Sequence, residues 1–502
     1  MSTHRLCPIK HADKIFIGGD WVTPSSDTMI EVITPSTEQS YVTVAAALQP
    51  DIDRAVACAR NAFDAGPWPR LSHRQRADYL REISRQIVAR APAIADTWTS
   101  EVGITANLAQ MVAPSFGNVF DYYASLADTF PFEELRVPSI GGSGLLVREP
   151  VGVVAAIVAW NAPYAFIAWK LAPALLAGCS VILKVSPEAP CAGYMMAEIF
   201  EAAGLPKGVV SMVAADREVS EMLVRHPGVD KVTFTGSSAA GKKIAAICGE
   251  RIARCSLELG GKSAAIICDD YDLEIAAETL SQGARAMSGQ FCASLTRIIV
   301  SRERHDRLIE ALAGSFSAIK VGDPFDAATD MGPLATERQR DRVENYVAIG
   351  KREGARLVQG GRRPPHLDRG FYLEPTVFGN VSNSMRIARE EIFGPVISVI
   401  PADSPENAIE IANDSAFGLN ASVFTNDNDH AYRIARRIRS GTVGQNGSKT
   451  DFYMAFGGFK ESGVGREGGT EGLMSFLETK TVILDGPPST VPGAQTPPHD
   501  GI

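Results

Sequence analysis

Three residues far apart in the chain carry side chains suited to chemistry on a carbonyl carbon. Cys292, in Ser288-Gly289-Gln290-Phe291-Cys292, is a potential nucleophile: a thiol whose pKa is lowered attacks a carbonyl that can reach it. Glu258, in Leu257-Glu258-Leu259-Gly260-Gly261-Lys262, lies between apolar neighbours at the end of a predicted strand, where desolvation can make a carboxylate a general base. Asn161, in Trp160-Asn161-Ala162-Pro163, follows another predicted strand and offers an amide N–H that can polarise a carbonyl oxygen. Singly, each has an ordinary structural reading, since a buried free cysteine is usually a small hydrophobe.

A fourth feature is the turn Phe234-Thr235-Gly236-Ser237-Ser238-Ala239-Ala240-Gly241, between a predicted strand and a predicted helix. Its glycines let backbone approach a phosphate, and the helix start supplies free N–H groups and positive potential. It resembles a Walker loop but ends in Lys243 where a Ser or Thr should hold magnesium. A second near match, Gly261-Lys262-Ser263, has Ser256 in place of the leading glycine. Neither supports an NTPase. An ordinary GxGxxG fingerprint at a strand end is also missing.

The elements that must position these residues are predicted as follows. Helical spacing covers Asp51 to Ala65 and His73 to Glu101, with a break at Pro92. From Val151, strands (Val151–Ala159, Ser180–Lys184, Val209–Val213, Lys231–Thr235) alternate with helices (Ala165–Ala177, Ala192–Ala203, Val219–His226, Ala239–Gly249). Such alternation predicts a parallel sheet with helices on both faces and a ligand at the carboxyl ends of its strands. A second α/β region runs from Ser263 to Met454, with strands at Ala264–Cys268, Arg297–Val300 and Val396–Ile400; Gly260-Gly261 is the expected boundary.

The 502 residues suggest two or three domains, and 45% hydrophobic with 21% charged residues describes a globular chain. A net charge of −9 disfavours nucleic acid and anionic lipid as partners. No apolar run follows Met1 to Arg5, and Val151 to Leu183 is broken by Asn161, Pro163, Lys170 and Pro173, so a cytoplasmic chain with no membrane span is expected. Eight scattered cysteines read as reduced thiols, and eight scattered histidines lack metal-ligand pairing, so no metal is expected. The proline- and glycine-rich tail 486–502 is expected to be mobile.

Taken in order, the strings at Asn161, Phe234–Gly241, Glu258–Lys262 and Gly289–Cys292 resemble the aldehyde dehydrogenase superfamily. Val321-Gly322-Asp323-Pro324, Met331-Gly332-Pro333-Leu334, Glu374-Pro375-Thr376, Glu390-Glu391-Ile392-Phe393-Gly394-Pro395-Val396, Phe417-Gly418-Leu419 and Phe456-Gly457-Gly458-Phe459-Lys460-Glu461-Ser462-Gly463 continue the likeness over nearly the whole chain. The resemblance implies an α/β fold with a Rossmann-like dinucleotide-binding domain (1–128 and 148–259), an α/β catalytic domain (260–478) and a small β oligomerisation arm (129–147 and 479–485). The arm's last strand would add to a neighbouring subunit's sheet, giving a homodimer or homotetramer.

The resemblance also implies a mechanism: Cys292 attacks an aldehyde, Asn161 and the Cys292 N–H hold the oxyanion, hydride leaves for NAD, and Glu258 activates the water that hydrolyses the thioester. Lys184 and Glu391 would meet the two riboses, Gly236 and Ser237 the pyrophosphate, and Phe393 the nicotinamide half; Ile157, Val158, Trp160, Ser186, Glu188, Phe234, Leu259 and Gly260 complete the cofactor set. Many NAD-using relatives carry a carboxylate three residues after the lysine, where this chain has Pro187. Glu188 with Asp216 could still repel a 2′-phosphate, which favours NAD while leaving NADP possible. Small residues, Ala162 and Gly444, stand where relatives tuned to small aldehydes carry aromatics. With Tyr164, Trp169, Phe291 and Phe456 lining the rest, a wide apolar pocket for bulky aldehydes is expected. Rival readings are a CoA-acylating semialdehyde dehydrogenase of the same fold, a thiol-dependent acyl hydrolase and a non-catalytic nucleotide-binding scaffold.

Overall fold

Strand and helix alternate because buried runs such as Val153-Val154-Ala155-Ala156-Ile157 need cover on both faces. In the computed structural model, which describes residues 6–486 and 488, the strands of the first half assemble into an eight-stranded sheet. Its order is Asp20–Val22, Ile15–Ile17, Val210–Ala214, Ser180–Val185, Val153–Ile157, Lys231–Thr235, Arg254–Glu258 and Gly463–Val464. The central five strands are parallel and the flanking ones antiparallel. Side chains alternate between two cores. Val154 and Ala156 pack with residues of the helices Pro163–Ala177 and Cys191–Ala202, whereas Val153, Ala155 and Ile157 pack with those of Gln49–Asp64 and Ser238–Glu250.

From Val153–Ile157 the chain builds outward through Ser180–Val185 to Val210–Ala214, then returns to place Lys231–Thr235 on the other side. That reversal opens a crevice at the carboxyl ends of the strands. Register places Lys184, Ile157, Phe234 and Leu257 side by side there, with Glu258 beside Thr235.

The second sheet has seven strands, in the order Arg356–Gln359, Thr376–Gly379, Val396–Ala402, Leu295–Ser301, Ser263–Ile267, Asn420–Phe424 and Thr442–Gln445. All neighbours but the first pair run parallel. The chain passes from one sheet to the other between Glu258 and Ser263.

A three-stranded antiparallel sheet joins Glu133–Arg136, Ser143–Pro150 and Leu477–Leu484. The C-terminal strand, expected to add to another subunit's sheet, pairs along its whole length with Ser143–Pro150 of its own chain. Differences from the predicted elements are local. The strand predicted over Val151–Ala159 spans only Val153–Ile157, after Gly152 with φ +126°. The long helical stretch is two helices, His73–Ala89 and Ala91–Val102, with Pro92 in the first turn of the second, where a missing N–H costs nothing. The expected mobility of the tail falls outside the described residues apart from Gly486 and Pro488. Among the described residues, no helix is long and apolar enough to cross a membrane, and no group of three or more His, Cys, Asp or Glu could hold a metal ion.

Candidate active site

The loop that carries Cys292 leaves the helix Leu273–Arg285 through three residues of left-handed backbone: Met287 (φ 51°), Ser288 (φ 54°) and Gly289 (φ 70°). Non-glycine residues adopt this conformation only where their surroundings impose it. Here the Ser288 hydroxyl donates to the Gly332 carbonyl at 2.9 Å, the Gln290 side-chain oxygen accepts the Ala335 N–H at 2.9 Å, and Gln290 Nε2 donates to the Met287 carbonyl at 3.1 Å. Gly289 lies against the backbone of Gly394, and a methyl group at either glycine would collide with its surroundings.

Asn161 reaches this loop directly. Its Nδ2 donates one hydrogen to the Gln290 carbonyl at 3.0 Å, and its own carbonyl accepts the Trp98 indole N–H at 2.9 Å. The second amide hydrogen is available to a ligand.

Glu258 ends its strand only 4% exposed, and neither carboxylate oxygen has a hydrogen-bond partner among the described residues. Burial first, and then the charge of Glu467, pushes its carboxyl well above the usual carboxylate range; Lys170 and Arg466 pull the other way. Lys170 and Glu467 form a fully buried ion pair. Glu258 packs so closely on Gly457 that a Cβ there would stand 2.7 Å from Oε1.

Cys292 corrects the expectation of a lowered thiol pKa. Burial pushes it up, helped by the charges of Glu391 and Glu258 and opposed by the backbone N–H groups of Ala293 and Cys292.

A cavity of about 410 Å³ contains all three groups. Of the residues expected to bind cofactor, Trp160, Gly236, Ser237, Leu259, Gly260, Glu391 and Phe393 line it. Ile157, Lys184 and Phe234 form the row of strand ends beneath, and the Val158 N–H donates to the Lys184 carbonyl. Burial brings Lys184 down to about 8, opposed by Glu188 and Asp216. Ser186 donates to Glu188, whose other oxygen pairs with Arg338 at 2.8 Å; Asp216 caps the helix Arg217–Arg225 by accepting the Val219 N–H. Glu188 is thus charge-matched, and Asp216 is engaged with backbone.

The sequence reading missed Arg217, Gln339 and Arg342 on the cavity wall. Gln339 Nε2 donates to the Phe393 carbonyl at 2.6 Å, and Arg342 donates to those of Glu391 and Ile392. Together they fix a strained segment in which Phe393 has φ 63° and meets Trp160 edge-on, ring centroids 5.5 Å apart. Glu391 Oε1 accepts the Gly261 N–H at 3.0 Å, and burial raises its pKa.

Beside Cys292, Trp169, Phe291 and Phe456 cluster with Ala293 and Leu419. Ala162 is buried at the start of the helix Pro163–Ala177. Tyr164 is a correction: 1% exposed, it stacks on Phe116 in the core with its hydroxyl on Met195 Sδ. Gly444 is another. It sits within the strand Thr442–Gln445 opposite Ser422, and the space beside it is taken by the Gly447 carbonyl and the Lys449 side chain. Two aromatics went unforeseen: Phe166 on the cavity wall, and Phe452, whose ring lies 4.9 Å from Trp169.

Residues 21–482 match the family model described as the aldehyde dehydrogenase family. The chain is 44% identical over 473 residues to a geranial dehydrogenase of Castellaniella defragrans, covering 94% of this chain and 98% of the relative. It is 41% identical over 480 residues to a 3-succinoylsemialdehyde-pyridine dehydrogenase of Pseudomonas sp., with 94% and 98% covered. Among solved structures, a Mycobacterium tuberculosis aldehyde dehydrogenase complexed with NAD+ superposes with a TM-score of 0.92 at 44% identity, covering 94% and 98%. A mutant of aldehyde dehydrogenase C from Pseudomonas syringae complexed with NAD+ and octanal gives 0.93 at 38%, covering 97% and 100%.

Proposed function

The chain belongs to the aldehyde dehydrogenase family and is an NAD-dependent enzyme that oxidises an aldehyde to the carboxylic acid, and we propose that Cys292, Glu258 and Asn161 carry that reaction. The supporting observation is Glu258 itself: a buried carboxylate with no hydrogen-bond partner among the described residues, in the same cavity as Cys292 and Asn161, whose Nδ2 donates one hydrogen to the Gln290 carbonyl. Such a group is costly to the fold unless a ligand or water uses it.

The cavity fits the cofactor. At Gly236 a methyl group would strike the Phe234 ring and at Gly260 the Glu391 carboxylate, so both positions serve close approach of backbone. The start of the helix Ser238–Glu250 offers N–H groups for the pyrophosphate, Lys184 and Glu391 suit the riboses, and Trp160 and Phe393 wall the nicotinamide half. The chemistry NAD supplies there is acceptance of a hydride.

The chain's own residues do the rest. Cys292 Sγ passes its proton to ionised Glu258, which releases it to solvent, and bonds to the aldehyde carbon; the resulting oxyanion is held by Asn161 Nδ2 and the Cys292 N–H. Loss of hydride leaves a thioester on Cys292. Ionised Glu258 takes a proton from water, which attacks the thioester, releases the acid and restores the thiol. A base in the same cavity as the nucleophile, without a hydrogen-bond partner among the described residues, favours water over CoA as acyl acceptor. The test is NADH formation by wild type, Cys292→Ala and Asn161→Ala on aldehydes graded by size: the cysteine variant should be inactive and the asparagine variant slower by roughly 10²- to 10³-fold. Ordinary oxidation by Cys292→Ala would overturn the assignment.

For substrate, the aromatic run Phe166, Trp169, Phe452 and Phe456 supports bulky apolar aldehydes. The eight-stranded sheet would hold the cofactor and the seven-stranded one the nucleophile. Exposed apolar side chains on the three-stranded arm, Val137 (90%) and Ile140 (81%) foremost, support a homodimer or homotetramer. Eight free thiols suit the reducing cytoplasm.

A further inference from the structure

We propose that Cys7 and Cys191 form a peroxide-reactive dithiol, a modification site distinct from Cys292 whose oxidised product is a Cys7–Cys191 disulfide. The two sulfurs stand 3.4 Å apart although 184 residues separate them in sequence. A disulfide needs about 2.04 Å, so they must close by little more than an ångström. Cys7 lies in a stretch without regular secondary structure, packed beside Val32, Tyr41 and Cys191 and anchored by the Lys10 N–H on Glu198 Oε1 at 2.8 Å. Cys191 is rigid: it opens the helix Cys191–Ala202, is fully buried, and donates its backbone N–H to Glu101 Oε1 at 2.9 Å.

The two thiols are not equivalent. Hydrogen bonding from Cys191 brings the half-buried Cys7 thiol down to about 7 against the effect of burial, whereas burial raises Cys191. Cys7, half-buried and so the one that peroxide reaches, is therefore the attacking thiolate, and the fully buried Cys191 the resolving thiol. Attack of Cys7 sulfur on hydrogen peroxide forms an S–O bond, breaks the O–O bond and releases hydroxide, leaving a sulfenic acid. Cys191 sulfur then displaces the sulfenic oxygen, which leaves as water after taking up the Cys191 proton. Two thiols are oxidised and one peroxide is reduced to two waters.

The enzyme is treated with one equivalent of hydrogen peroxide, alkylated and mapped by mass spectrometry. Expected are a Cys7–Cys191 cross-linked peptide reversed by dithiothreitol, a fall from eight to six titratable thiols, and retained dehydrogenase activity. Cys7→Ser, which leaves basal activity unchanged, should lose the cross-link and be inactivated several-fold faster by peroxide. In Cys191→Ser the Cys7 sulfenic acid should accumulate and be trapped by dimedone. Oxidation falling first on Cys292, or on the second thiol pair Cys248 and Cys255, with Cys7 and Cys191 left free, would overturn the proposal.

Discussion

Gly261 lies directly against Cys292: a methyl group at residue 261 would collide with the Cys292 carbonyl oxygen, while its neighbour Gly260 lies equally close to the Glu391 carboxylate. Two adjacent glycines thus support two different parts of the site.

Their alanine variants should separate those parts. Gly261→Ala displaces the nucleophile, and since a misplacement of about 1 Å can cost about 10²-fold, kcat should fall by that order with NAD affinity little changed. Gly260→Ala should instead raise the Kd for NAD. Steady-state kinetics and NAD titration by fluorescence check both, and the same effect from both variants would refute the division.

Because burial and then Glu467 push the Glu258 carboxyl well above the usual carboxylate range, and only its ionised form can serve as base, the limb of the profile on which turnover rises with pH should lie above that range. Glu467→Gln removes the like charge and leaves Lys170 attracting the carboxylate, so the rising limb should move to lower pH; Lys170→Met should move it higher. The readout is kcat against pH at saturating aldehyde and NAD.

Gln339 ties Ile392 and Phe393 to the helix Glu337–Arg352 through their carbonyls. Gln339→Ala should weaken NAD binding roughly tenfold, the equivalent of about 1.4 kcal/mol, with kcat at saturating NAD changed far less. Calorimetric titration measures it.

Trp169→Ala removes the ring that joins Phe166, Phe452 and Phe456. Loss of about 2 kcal/mol of apolar contact should lower kcat/KM for long or branched aldehydes roughly 30-fold and for acetaldehyde much less. Equal losses on both would refute the apolar pocket.

Glutamate at Val137 and Ile140 places charge on the exposed arm. The double variant should elute as a smaller species with light scattering giving monomer mass, and an unchanged mass would exclude this surface from the assembly.

The site was legible where chemistry and a strand end coincide: Asn161 follows the buried apolar run Val153–Ile157, which marks a parallel strand, whereas Glu258 closes Arg254-Cys255-Ser256-Leu257-Glu258, which has no such run and was found through its motif. What failed was phase and distance. Tyr164 has the right composition for a pocket, but in the helix Pro163–Ala177 it projects away from the face shared by Phe166 and Trp169. Gly444 was placed by counting along a loop that begins only after its strand ends. The raised pKa values of Cys292 and Glu258 depend on burial first and then on Glu391 and Glu467, all brought about by tertiary packing that no local pattern encodes.

Lys170 emerges from the ribosome 297 residues before Glu467, the partner that neutralises it, and the strand Arg254–Glu258 keeps an open edge until Gly463–Val464 is made. A lone ammonium cannot be sealed in an apolar interior cheaply. Nascent chains interrupted before that point should therefore stay loosely collapsed and open to chaperones and proteases, so that completion of synthesis itself licenses the nucleotide-facing half to set.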